Sequence, residues 1–291
     1  MKKYIVDKKY NDATVGFFLK DIIGYSTRNL RNSDIYLNGK KVKLKKTIKF
    51  KDKLIVCELK KGTNIVPMKM DLDIIYEDND LLILNKPPHL IVHPTKKKVD
   101  KTLANGVVYY FIESHGLSSV PRFFNRLDMD TSGIIVITKN AFSQALLQNK
   151  NKINVEKYYL AIVEGIVPKD EFLIEKPIGR VGDSLRREEL SIENGGQNAK
   201  TKINVIKRFE EKNISLLKIQ LFTGRTHQIR VHLSLEGFPI IGDSLYGAED
   251  QPVERQFLHA FQLILTNLDS NEKKVFSAPL PEDMKKFLNI N

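Results

Sequence analysis

Along most of this chain apolar residues alternate with polar ones or gather in short blocks bounded by turn residues, and helical spacing is confined to a few stretches. Strand patterns fall at residues 74–76, 81–84, 123–127, 134–138, 157–163, 201–208, 215–222, 258–265 and 274–277. Helical spacing fits 103–112, 141–148, 227–236 and 281–288. Many strands joined by hairpins, with few helices, predict an α+β domain built on a mostly antiparallel sheet. Before residue 65 the pattern changes to two short helices, 13–23 and 26–31, then strands 35–37 and 42–44 around Asn38-Gly39, a strong hairpin turn. A strand-like apolar run follows at 54–59. The stretch from Lys60 and Lys61 to Pro67 has linker character. The predicted division is a small α/β domain at 1–64 and a larger one at 65–291.

With 291 residues, 42% of them hydrophobic, the chain can bury a proper core. Its start is charged again before a signal-type apolar region develops, and no apolar run approaches the roughly 18 residues of a membrane span. A soluble, cytoplasmic, monomeric protein without membrane contact is expected. Cys57, the single cysteine, excludes an intramolecular disulfide and a Cys-rich zinc site, and its apolar setting predicts a buried structural role.

The net charge of +12 is unevenly placed: residues 1–64 carry 17 Lys or Arg against 6 Asp or Glu, leaving the rest of the chain nearly neutral. Charge runs are commonly solvated faces. Here the basic segment also holds Phe17, Phe18, Leu19, Ile22, Ile35 and Leu37, so it can fold and display its cations on a fixed surface. Such a surface suits phosphates, with salt-sensitive, sequence-tolerant affinity.

Three clusters can carry chemistry. In Arg126-Leu127-Asp128-Met129-Asp130-Thr131-Ser132-Gly133, carboxylates sit in a polar turn between two apolar strands. Rigid flanks can hold one side chain in a cleft, although the same residue types build ordinary turns. Thr223-Gly224-Arg225-Thr226-His227-Gln228-Ile229-Arg230 follows a strand and opens a helix, with Thr226 the expected N-cap. On that helix His227, Arg230 and Ser234 form a polar strip between two apolar stripes. Periodicity leaves open whether Arg230 closes a core salt bridge, serves a reactive carboxylate, or does both; an arginine beside an aspartate keeps that aspartate ionised. Strand alternation from Val155 to Gly165 sets Lys157 and Tyr159 on one face. A further segment, 84–94, holds His89 and His93, but flanking prolines argue against a helix that would bring both to one metal ion.

Read together, these motifs resemble those of the RluA-type RNA pseudouridine synthases, in family order from about residue 73 to the C-terminus. The Arg-Leu-Asp-x-x-Thr-Ser-Gly signature picks out Asp128 as the catalytic aspartate, Lys-x-Tyr-x-Ala picks out Tyr159 as the tyrosine that stacks on the base and is placed to move its ring proton, and the cluster from Thr223 onward picks out Arg230 as the arginine partner, with Arg225 the second choice. Arg126, Lys157, Arg225, His227 and Lys86 are the expected substrate contacts around them. The N-terminal pattern resembles the alpha-L RNA-binding module, also called ribosomal protein S-four type, with Arg28, Arg31, Lys40 and Lys41 toward RNA. The resemblance implies an isomerase that turns uridine into pseudouridine, with ribosomal RNA ahead of transfer RNA as partner and with neither cofactor nor metal. One departure is Asn125, where the family usually has His; Asn cannot carry a proton at neutral pH. Two other readings are a non-catalytic RNA-binding factor and a glycoside hydrolase using Asp128 with Asp130.

Overall fold

The computed structural model describes residues 1–59, 62–94, 101–116, 119–247 and 253–290, so Lys60 and Lys61 of the expected linker lie outside the described residues. One ten-stranded sheet dominates. Its path runs Glu171–Ile174, Thr201–Phe209, Ile214–Leu221, Ile153–Glu164, Leu258–Asn267, Ser132–Thr138, Leu81–Lys86 and Ile74–Glu77. Lys273–Ser277 adds to Leu258–Asn267, and Arg122–Phe123 adds to Ser132–Thr138. Among the described strands of this sheet every pairing is antiparallel except that of Ser132–Thr138 with Leu258–Asn267. The fold is α+β, as the turn-punctuated strand pattern predicts.

Alternation splits the sheet into two buried faces. Leu82, Leu84, Ile135, Ile137, Ala161 and Leu217 face one core, which Leu103 and Val107 of the helix Leu103–His115 and Ile229 and Leu233 of the helix Gln228–Leu235 complete. Leu81, Ile83, Ile134, Val136 and Leu263 face the other, against Leu147 of the helix Ala141–Gln148. Ser132–Thr138 is therefore buried along its whole length, and it forms a rigid base for the polar turn just before it. The parallel pairing demands close approach: Gly133 has φ +107°, and a Cβ there would lie 2.3 Å from the carbonyl oxygen of Ala260. Glycine is the one residue that fits.

A separate four-stranded sheet, Lys2–Ile5, Lys53–Glu58, Ser33–Leu37 and Lys40–Lys41, covers its own core of Val6, Val15, Phe18, Leu19, Leu54 and Val56. The hairpin turns at Asn38 (φ 49°) and Gly39 (φ 84°) as expected. Its second strand is Lys40–Lys41 rather than 42–44, because a two-residue turn pairs Leu37 directly with Lys40. The helix expected at 13–23 is split into a short turn, Val15–Phe17, and a wider one, Phe18–Ile22. Cys57 is half-buried rather than buried. Tyr25 meets Phe142 of the large sheet's helix with ring centroids 4.3 Å apart, and Lys2 pairs with Asp80 at 2.5 Å. No helix among the described residues is long and apolar enough to cross a membrane.

Lys86 corrects a sequence expectation. It ends a central strand with 0% exposure, so it is no surface contact for RNA. Its Nζ donates to the carbonyls of Pro87 (2.7 Å), Leu90 (2.9 Å) and Met129 (2.8 Å). Those three bonds use every proton of an ammonium and pin the polar turn to the sheet. Burial pushes its pKa down to about 7, against the opposing charges of Asp130 and Asp128. Lys86→Met removes this donor from three part-buried hydrogen bonds, at about 0.5–1.5 kcal/mol for each. Thermal unfolding should show a midpoint lowered by roughly 5–10 °C; an unchanged midpoint would contradict the pinning role.

Candidate functional site

Asp128 sits in a turn whose peptide carbonyls are all engaged. Asp128 O accepts from Thr131 N at 3.2 Å, Met129 O from Leu90 N at 3.2 Å as well as from Lys86, and Asp130 O from Arg255 Nη1 at 3.3 Å. Arg255 is itself buried and forked onto Asp283 at 2.6 and 2.9 Å. Gln256 Nε2 donates to Thr131 Oγ1 at 3.1 Å. A loop held from so many sides presents the Asp128 side chain in a narrow range of positions.

Asp128 Oδ2 accepts from Arg230 Nη1 at 3.1 Å. Arg230 also places Nε and Nη2 on the two oxygens of Asp243, at 2.7 and 2.8 Å, in a bidentate fork. Asp243 has 0% exposure and takes backbone N–H bonds from Leu245 and Tyr246, each 3.1 Å, on Oδ1. Burial alone would lower the Arg230 pKa, but the bonds and charges of Asp243 and Asp128 raise it on balance. One guanidinium is thus shared between a sealed carboxylate and one that opens to solvent.

The polar strip expected on the helix is present. His227, Arg230 and Ser234 all turn toward the 243–246 segment, Ser234 Oγ donating to Tyr246 O at 3.0 Å. Thr226 is not the N-cap, however. The cap is His227 in the left-handed region (φ 59°), with no side-chain capping bond. Gln228 Oε1 instead closes the turn, accepting from Arg225 N at 3.0 Å and Thr223 Oγ1 at 2.8 Å. Burial lowers the His227 pKa, with Asp128 opposing and Arg230 reinforcing. Tyr246 Oη accepts from Arg187 N at 2.6 Å and lies 3.0 Å from His227 Nδ1. With its acceptor side engaged, the hydroxyl is free to donate to Nδ1, leaving Nε2 as the protonated nitrogen, 3.9 Å from Asp128.

Tyr159 lies on Ile153–Glu164, between Ile219 and Ala260 in register, with 6% exposure. Burial, then the charge of Asp128, pushes its phenol pKa well above the usual value, so it stays protonated at neutral pH. Asp128, Tyr159 and Arg230 line one cavity of about 200 Å³. Arg126, Lys157, Arg225 and His227 line it too. The volume falls below the roughly 300–1,000 Å³ of sites for drug-sized molecules. Arg28, Arg31, Lys40 and Lys41 are exposed on the small sheet's module and do not line the cavity.

Asn125 has another use. Its Nδ2 donates to Ile134 O at 3.0 Å and its Oδ1 accepts from Val136 N at 2.8 Å. The side chain imitates a strand peptide, which is why the strand predicted at 123–127 is regular only over Arg122–Phe123, with one further backbone bond from Phe124 N to Val136 O at 2.8 Å. Asp130 is bonded to His89 Nδ1 at 2.9 Å while Asp128 faces Arg230. The two carboxylates thus face different partners, which removes the support for a carboxylate-pair hydrolase. His93 packs edge-on against Phe123, ring centroids 4.6 Å apart. Sequence reasoning missed the anchoring of Arg230 by Asp243 and of the Asp128 turn by Arg255, because both contacts join segments far apart in the chain.

Comparison with known proteins agrees with this geometry. Residues 80–235 match the RNA pseudouridylate synthase family model. The chain is 36% identical over 265 residues to the uncharacterized RNA pseudouridine synthase YlyB of Bacillus subtilis (strain 168), covering 89% of this chain and 86% of that one. It is 37% identical to ribosomal large subunit pseudouridine synthase D of Neisseria meningitidis serogroup A, over 77% of this chain and 62% of that one. Human RNA pseudouridylate synthase domain containing 1 superimposes with a TM-score of 0.57 at 26% identity, covering 72% of this chain and 83% of that structure. The chain belongs to the RNA pseudouridylate synthase family, and it is an isomerase acting on RNA.

Proposed function

We propose that this synthase isomerises chosen uridines in structured RNA, ribosomal RNA ahead of transfer RNA, with Asp128 as the group that opens the glycosidic bond. The convergence of Asp128, Tyr159 and Arg230 on one cavity carries the reading. Chemistry on a base requires the nucleotide to leave its stack. Tyr159 supplies a flat, buried platform for the extruded uracil. Arg230, anchored by Asp243, fixes the Asp128 carboxylate beside the sugar. Uridine and pseudouridine are isomers, so the reaction balances without a co-reactant or cofactor.

Stacking suits Tyr159 as a neutral phenol. Relay of the ring proton would require it to pass on its own proton in the same step. Arg126 and Arg225 at the rim are the expected phosphate contacts. The name of the Neisseria relative supports ribosomal RNA as partner. Residues 1–64 act as an alpha-L-type module, with Arg28, Arg31 and the exposed lysines from Lys40 onward on RNA phosphates, and residues 65–291 carry catalysis. The enzyme works as a cytoplasmic monomer. Asn125 gives no footing to a non-catalytic reading, since its side chain is spent on the strand backbone.

Bulk RNA labelled with tritium at uridine C5, taken from cells lacking the gene, tests the chemistry. The protein should release tritium and Asp128→Asn should release at least about 100-fold less; release by the variant at the normal rate would remove Asp128 from its role. Changing Lys40, Lys43, Lys45 and Lys46 to Ser should weaken binding to the same RNA and flatten the dependence of log affinity on log salt by about 0.7–0.9 for each phosphate that is no longer neutralised. An unchanged slope would remove the module from RNA binding.

A further inference from the structure

Most cations around the cavity are already committed. Arg230 is spent on Asp243 and Asp128, Lys86 on three carbonyls, and Arg225 Nε on Asn198 O at 3.0 Å. Arg126 is exposed at the rim. Lys157 differs: it is half-buried in the cavity wall and has neither hydrogen bond nor ion pair among the described residues.

Its strand position explains where it points. Lys157 precedes Tyr159 by two residues on Ile153–Glu164, so the two share a face. The chain reaches toward the loop before the helix: a Cβ added to Gly224 would lie 3.8 Å from Lys157 Nζ. No buried side-chain nitrogen or oxygen lacks a partner among the described residues, so this unpaired ammonium opens to the cavity instead of being sealed behind it. Burial, then the like charge of Lys150, lowers its pKa. A partly desolvated cation without a partner is costly, and it is tolerated where a ligand brings the partner.

The chemistry names that partner. When C1′–N1 breaks, the bonding pair leaves with the uracil, and the negative charge spreads from N1 onto the two ring carbonyl oxygens. It is spent when C5 forms the new bond to C1′, and it returns as the C5 proton departs to water, until N1 takes up a proton. Fixed donors aimed at a charge that develops during reaction are the strongest kind of electrostatic assistance. We propose that Lys157 is a catalytic residue, its ammonium hydrogen-bonding a ring carbonyl of the uracil stacked on Tyr159 and stabilising the departing anion. This rests on the reading of Asp128 as the bond-opening group.

The test compares Lys157→Met, Lys157→Arg and Asp128→Asn in single-turnover tritium release from the C5-labelled RNA, with filter binding of the same RNA. Lys157→Met should lose at least about 100-fold in rate while its RNA affinity stays within about threefold, and Lys157→Arg should recover at least a tenth of the normal rate. The charged or titratable groups facing Lys157 across the cavity are Arg126, Asp128, Tyr159, Arg225, His227 and Arg230. The ammonium must be protonated to act, so the normal rate should fall as pH rises through its lowered pKa. Lys157→Arg should move that alkaline fall to higher pH. A Lys157→Met rate within threefold of normal overturns the proposal, and so does a parallel loss of rate and affinity, which would mark a phosphate contact. Asp128→Asn separates the two readings: if it is active, the reading of the whole site fails, whereas an inactive Asp128→Asn beside an active Lys157→Met ends only the role of Lys157.

Discussion

The sharing of one guanidinium between two carboxylates is the constraint on which the site depends. Asp243 is sealed from solvent and takes two of the Arg230 nitrogens, so the plane of the fork is set from behind. The remaining Nη1 then has one place to be, and Asp128 meets it there. Removing either member of a buried pair costs about 3–5 kcal/mol, because the survivor is left uncompensated. The arrangement thus ties the integrity of the helix Gln228–Leu235 to the position of a carboxylate 102 residues away in sequence.

The opposite side of the contact is equally restrained. Lys86 and Arg255 approach the Asp128 turn from two segments far apart in the chain and bind its carbonyls. Gly133 lets the parallel strand come close enough to deliver Arg255 and Gln256 to that turn. Loop and helix are thus positioned independently and meet across the cavity. Such rigidity holds the groups that line the cavity in fixed relative positions before any substrate arrives.

Alternation and short apolar blocks bounded by turn residues revealed nearly all of the large sheet, because each block is too short for a helix and ends at a turn signal, with Glu171–Ile174 the strand left unread. The polar strip of His227, Arg230 and Ser234 was equally readable, and the family signature singled out Asp128 and Tyr159. What stayed hidden depended on contacts between distant segments. Lys86 reads as a surface cation until three carbonyls are seen around it. Asn125 reads as a lost proton carrier until its amide is seen standing in for a backbone peptide. Asp243 carries no local signal for its partner, and the N-cap moved from Thr226 to His227 because Gln228 closes the turn from inside the helix. The second strand of the basic hairpin shifted by two residues, since the tight turn at Asn38-Gly39 fixes register more strongly than the apolar pattern of Val42 and Leu44.

The most direct test of the shared guanidinium is Arg230→Lys, which keeps a positive charge near Asp243 but cannot bond both carboxylates in a fork. The measurement is the single-turnover rate of pseudouridine formation, taken beside the circular dichroism spectrum. A folded variant slowed by at least about 100-fold is the predicted result. A folded variant that works at the normal rate would show that activity does not depend on the bridge from Asp243 through Arg230 to Asp128.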